Sequence, residues 1–165
     1  MSRGFTFLEL LITISVLSIL LAVAAPSFSS VSETVKMQRL ATELNGFMIQ
    51  AKSEAVMRNE ELFVHFSFAD DNPQSTGVWE INLKDASNNV LLFLDGSPFN
   101  NLTVSHRYSS QKIKFEKVRG RPSSGHIAFY PTLSSSNKIK VILSNPPGRI
   151  KVCGVGGPLY DYKAC

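Results

Sequence analysis

The sequence predicts an α+β fold, one long helix followed by a run of antiparallel strands. Three observations predict it. The segment Phe5 to Ala25 is apolar but for one charge, Glu9. A helical apolar stripe continues to about residue 58, and from Glu61 onward the hydrophobic period falls to two. A chain of 165 residues fits one ordinary domain plus a helical extension, and a 44% hydrophobic content excludes a disordered polar chain.

The helix comes first. Leu40, Leu44, Phe47, Met48, Ala51 and Ala55 recur at i, i+4, i+7, i+8, i+11 and i+15, which places them on one face. A helix over 5–58 would be about 80 Å long at 1.5 Å per residue. That exceeds a bilayer, so its second half must pack on a soluble domain. Pro26 lacks an N–H and is expected to kink or interrupt the helix. Ser27, Ser29, Ser30 and Ser32 make the following stretch locally soft. Gly46 costs about 1 kcal/mol against alanine inside a helix; a close strand approach is the expected reason. Met37, Met48 and Met57 are read as helix packing.

The strands follow. Leu62, Val64, Phe66 and Phe68 alternate with Phe63, His65 and Ser67. Further strands are expected over 78–83, 90–94, 102–106, 112–118, 125–129, 138–143 and 150–153. The clusters Asp71-Asn72-Pro73, Ser87-Asn88-Asn89, Asp95-Gly96, Ser134-Ser135-Ser136-Asn137 and Asn145-Pro146-Pro147-Gly148 separate them as turns. No internal repeat is present.

Charge is unevenly distributed. Residues 1–105 carry 6 Lys/Arg against 11 Asp/Glu, and residues 106–165 carry 11 against 2. A basic half of this kind fits a polyanionic partner or a solvated surface. Its cations come in pairs two residues apart: Lys112 and Lys114, Arg119 and Arg121, Lys138 and Lys140, Arg149 and Lys151. In an extended segment such a pair shares one face, a spacing that can track a phosphate backbone.

No catalytic site is expected. His65, His106 and His126 have no ligand-like spacing, and no G-x-S-x-G, Walker A or H-E-x-x-H pattern occurs. Asp70-Asp71 before Asn72-Pro73 is turn chemistry; a calcium site there would lack the EF-hand pattern. Two cysteines without C-x-x-C exclude a zinc ribbon or a thioredoxin motif. The expectation is a non-enzyme with no cofactor and no metal.

The first 26 residues admit three readings: a buried core helix, a cleaved secretory signal with Ala22-Val23-Ala24 at its end, or a retained membrane helix behind a short leader. The run is of membrane length, which weighs against the first. Glu9 weighs against the second, because an intramembrane carboxylate costs about 2.5–3.5 kcal/mol and export does not require one.

The residues Arg3-Gly4-Phe5-Thr6-Phe7-Leu8-Glu9-Leu10-Leu11 resemble the processing signal of type IV pilins and type II secretion pseudopilins. The helix from Gln38 to Asn59 is similar to that of the FimT/GspH branch of minor pilins and pseudopilins. The resemblance implies a pilin fold, with residues 1–4 as leader, 5–28 as membrane and assembly helix, and 29–165 as periplasmic head. It implies cleavage after Gly4 by a prepilin peptidase, N-methylation of Phe5, subunit docking through Glu9 and a helix kink at Pro26. A Phe5 amine freed in this way could neutralise Glu9, locally or in a neighbouring subunit, as the helix leaves lipid.

The implied partners are other major and minor pilins, the peptidase and an inner-membrane assembly platform. The implied location is the inner membrane and then the filament or its tip. Cys153 and Cys165 are similar in placement to the disulfide that closes the C-terminal region of many pilins. Outside the cytoplasm they are expected to pair, worth about 3 kcal/mol by loop closure. FimT-like pilins carry a Gly-Arg-x-Arg segment associated with DNA binding, which here reads Gly148-Arg149-Ile150-Lys151. Lysine keeps the charge and loses the bidentate contact. The resemblance thus makes Arg149 and Lys151, with Lys138, Lys140, Arg119 and Arg121, candidates for double-stranded DNA. The alternative is a GspH-like minor pseudopilin without DNA binding. Tyr160 and Tyr162 are read as shielding the loop's backbone, with base stacking as the alternative.

Overall fold

A computed structural model of the chain describes residues 5–70 and 72–165, without the side chains of residues 23–27 and 29. The expected leader, with Gly4 and its cleavage site, lies outside the described residues, as do Asp71 and the side chain of Pro26. The chain divides into two units, Met1–Val35 and Lys36–Cys165.

Helix α1 spans Phe7–Arg58 and is shared by both units. Thr6 rather than Phe5 sets its start, because the Thr6 hydroxyl accepts the Glu9 N–H at 3.2 Å. Thr6-x-x-Glu9 is a capping-box sequence, and Glu9 sits in the first turn, where the helix dipole favours a carboxylate. The helix runs through position 26 without interruption, so Pro26 does not end it. In the first unit every described side chain from Phe5 to Ala22 is exposed. Among the described residues no helix is long and apolar enough to cross a membrane. Within the expected membrane segment 5–28 the side chains of residues 23–27 lie outside the description.

The second unit holds the core. Met37, Leu40, Leu44, Met48, Ala51 and Ala55 are fully buried and Phe47 nearly so. The stripe read from the sequence is therefore the buried face of α1. Truncating one of its leucines to alanine would cost about 2–5 kcal/mol. Two readings on this helix are corrected. A Cβ on Gly46 would meet nothing within 4 Å, so no strand approaches it. Met57 is 80% exposed and packs no core.

Among the described residues eight strands follow: β1 Leu62–Phe66, β2 Glu80–Lys84, β3 Val90–Asp95, β4 Leu102–His106, β5 Lys112–Phe115, β6 Gly125–Pro131, β7 Ile139–Ser144 and β8 Arg149–Gly154. They form two four-stranded antiparallel sheets. The first has the order β3-β2-β1-β5 and the second β4-β6-β7-β8. The split arises at β4. It pairs with β6 from Leu102↔Pro131 to His106↔Ile127 instead of continuing the meander from β3.

One hydrophobic cluster joins the α1 stripe to the inner faces of both sheets: Leu62, Val64, Ile81, Leu83, Ile113 and Phe115 from the first, Val104, Ile127, Phe129, Ile139, Val141 and Leu143 from the second. The buried ring of Trp79 lies stacked 6.2 Å from Phe99. Gly96 permits this, since a Cβ there would come within 2.4 Å of the indole.

His106 is buried in an aromatic group, 4.1 Å from the stacked Phe66 ring. Its Nε2 lies 2.9 Å from the Phe68 carbonyl, and its Nδ1 is 3.3 Å from the Tyr108 N–H. Both nitrogens are thus engaged by backbone, the mark of a structural histidine.

Candidate functional site

Two regions carry the chemistry. The first is the start of α1. Within its apolar run the hydroxyls of Thr13, Ser15 and Ser18 donate to the carbonyls of Leu10, Leu11 and Ile14 at 2.7–2.8 Å. Each polar atom is satisfied by its own helix. Phe5, Phe7, Leu8, Ile12, Leu17 and Leu21 stand exposed around it. The surface of this segment is therefore apolar, with Glu9 as its charged group.

The second region is the outer face of the second sheet. Alternation along β8 places Arg149 and Lys151 on one face, opposite Ser144 and Ile142 of β7. Lys140 lies on the same face of β7, opposite Ala128 of β6 and Cys153 of β8. Lys138, just before β7, holds its ammonium 4.9 Å above the ring of Tyr130 on β6. His126 is on the same face of β6, and Arg107 joins it by donating its backbone N–H to the His126 carbonyl at 3.0 Å. The pairs Lys138/Lys140 and Arg149/Lys151, expected from spacing alone, are brought together by the β7–β8 register.

Electrostatics agree with that placement. The His126 imidazole is held below its ordinary range, first by burial and then by Lys140, Arg107 and Lys138; Asp70 acts in the opposite direction. A proton on His126 is opposed first by burial and then by the positive groups around it.

Lys151 has a further task. Its ammonium donates to the carbonyls of Cys165 and Ala164 at 3.3 and 3.4 Å. The tail is closed by the Cys153–Cys165 disulfide, with a Cα–Cα distance of 4.9 Å. It is also tied by backbone bonds from Gly154 N to Lys163 O at 2.9 Å and from Cys165 N to Gly154 O at 3.0 Å. Tyr160 and Tyr162 are half-buried and pack against the core cluster.

Arg119 and Arg121 are not on this face, which corrects their expected place beside the strand pairs. β5 ends at Phe115, and both arginines belong to the connection to β6. Arg121 lies 3.6 Å from Glu116 and against the Gly148 turn, where a Cβ on Gly148 would be 3.1 Å from its Cγ. Gly148 itself adopts φ +82, a left-handed conformation that glycine reaches without strain and that turns the chain into β8. Arg149 also lines a groove of about 630 Å³ with Ile49, Lys52, Val56 and Ile150.

Arg107 and His126 were missed by the sequence reading, because neither belongs to a cation pair; only the β4–β6 pairing brings them in. Among the described residues no group of His, Cys, Asp or Glu is arranged to hold a metal ion.

A long helix seated on antiparallel sheets, with a disulfide-closed tail and an apolar segment opened by a capped glutamate, defines a subunit of the pilin type. Residues 40–154 match the family model of type II transport protein GspH, and residues 1–25 match that of the prokaryotic N-terminal methylation motif. The chain belongs to the GspH family of type II transport proteins and carries the prokaryotic N-terminal methylation motif.

Two crystal forms of the Pseudomonas aeruginosa type IV minor pilin FimU share its fold. In the P21 form the identity is 21%, with 70% of this chain and 86% of that chain covered and a TM-score of 0.55. In the P65 form the identity is also 21%, the coverages are 70% and 90%, and the TM-score is 0.53. No curated protein matched the chain in sequence.

Proposed function

We propose that this chain is a minor type IV pilin, cut after Gly4, methylated at Phe5 and anchored in the inner membrane by α1 until assembly moves it into a filament. The role is structural and non-catalytic. Its partners are other pilins, which would receive the apolar segment, with the peptidase and the assembly platform acting before them. The internally bonded hydroxyls of Thr13, Ser15 and Ser18 support this. They leave Glu9 as the polar group that a neighbouring amine must meet. Mass analysis of the mature chain from cells tests the processing. A methylated chain beginning at Phe5 is expected, and a chain cut after Ala24 would overturn it.

The head further binds double-stranded DNA without sequence preference, as befits a filament that captures DNA for transformation. One observation carries this reading: Arg107, Lys138, Lys140, Arg149 and Lys151 converge with His126 on one sheet face. The full chain in neutral detergent, titrated with fluorescent duplex at several salt concentrations, is expected to bind with a log–log salt slope of about −0.9 per neutralised phosphate. The Arg149→Gln/Lys151→Gln variant is expected to bind more weakly and with a shallower slope. No binding by the unaltered chain at low salt would leave the GspH-like reading, an assembly component without DNA, which the family match favours independently.

A further inference from the structure

The outer face of the first sheet carries aromatic rings set among lysines. Phe63 of β1 is flanked by Lys84 of β2 on one side and Lys114 of β5 on the other. Two residues along, His65 is flanked by Asn82 and Lys112. Phe93 of β3 stands opposite Asn82 on the same face and is 58% exposed. Phe63 and His65 are i and i+2 on one strand, their ring centroids 6.5 Å apart and their planes inclined at 60°, so each offers a ring to a separate base of a splayed strand. The Lys112 ammonium rests 5.3 Å above the Phe63 ring, and the His65 imidazole feels both Lys84 and Lys112.

The inner side of these strands is core, so the rings have no packing role beneath the sheet. The carboxylates on this side lie at its margins. Glu61 pairs with Lys114 at 2.7 Å across an exposed bridge, and Glu80 stands opposite Asp95 at the far end of β2 and β3. An exposed bridge of that kind contributes little and is readily exchanged for a phosphate.

We propose that this face is a binding platform for single-stranded nucleic acid, with bases stacked on Phe63 and His65 and phosphates held by Lys84, Lys112 and Lys114. Charge complementarity selects a polyanion, and the half-buried rings of Phe63 and His65 beside the exposed Phe93 select one whose flat faces are open. A duplex hides its base faces, whereas a single strand offers them. Phe93 extends the platform toward the sheet edge, and the Glu80/Asp95 pair limits it there. This site is on the other sheet from the DNA face proposed above and does not depend on it.

The test titrates the full chain in neutral detergent with fluorescein-labelled oligo(dT), with a duplex and with inorganic polyphosphate. Oligo(dT) is expected to bind more tightly than polyphosphate of equal charge. Phe63→Ala is expected to lower its affinity roughly tenfold with the salt slope kept, as loss of one stacked base requires. Phe63→Leu, which keeps apolar area and removes the ring, is expected to do the same and guards against a folding artefact. Lys84→Gln/Lys112→Gln is expected to flatten the slope by about 0.7 per lost contact. The Arg149→Gln/Lys151→Gln variant is expected to keep oligo(dT) binding while its duplex binding weakens. Equal affinity for oligo(dT) and polyphosphate, or full affinity in both Phe63 variants, would overturn the proposal.

Discussion

Replacing Gly46 by alanine should stabilise this protein. The position lies inside α1, between the buried Leu44 and Phe47, yet it faces away from the core. A Cβ built there meets nothing within 4 Å, so the methyl group has no steric cost. Alanine gains about 0.8–1.0 kcal/mol over glycine in a helix interior, chiefly by narrowing the unfolded ensemble. The cooperative unit Lys36–Cys165 should unfold with an entropy of about 2.1 cal/mol/K per residue, so the gain corresponds to a rise of about 3 °C in Tm. Far-UV circular dichroism melts of the full chain in neutral detergent would read it. An unchanged or lowered Tm would refute the reasoning, because it would mean that something fills the space beside Gly46 or that the helix is not formed there.

Gly96→Ala is expected to act in the opposite sense, losing at least about 1–3 kcal/mol in a urea titration, because its Cβ would intrude on the buried Trp79 indole. Cys165→Ser opens a loop of sequence separation 12 and should cost up to about 3 kcal/mol, with the same shift produced in the unaltered chain by a reductant. His65 and His126 are both held below the usual histidine range, largely by burial and then by neighbouring lysines and Arg107. Their neutral forms therefore favour the fold, and their contribution is present above about pH 6.5 and lost as pH falls through their lowered values. Urea midpoints measured from pH 7.5 down to 5 should decline, and less so in His126→Asn. Duplex affinity should change the other way, tightening as pH falls, because a proton on His126 adds a cation to the DNA face.

Much of this fold was legible from periodicity. The eight strands fall within a few residues of their expected places because all but β3, whose residues are only half-buried or exposed, turn buried side chains to the core, and the stripe from Leu40 to Ala55 is the buried side of α1. What was not legible depended on partners distant in sequence. Nothing local to Leu102–His106 reveals that it leaves the β1–β3 meander to pair with β6, so the second sheet could not be foreseen. The same pairing brings in Arg107 and His126, which no spacing rule marks. Lys138, Lys140, Arg149 and Lys151 could be paired along their strands, but their convergence needed the β7–β8 register. Arg119 and Arg121 lie in the connection beyond β5, both in the expected strand over 112–118 and in the observed one, so their spacing sets no shared strand face.

The buried stripe of α1 has a mechanical meaning. From Met37 to Ala55 it runs for about 27 Å at 1.5 Å per residue, and it shares one core cluster with side chains of both sheets. A pull along the helix axis would load these contacts in parallel, so they must yield together. A pull across the axis would meet them one after another. The unit Lys36–Cys165 is thus toughest to a pull along the helix axis and more easily peeled in the other direction.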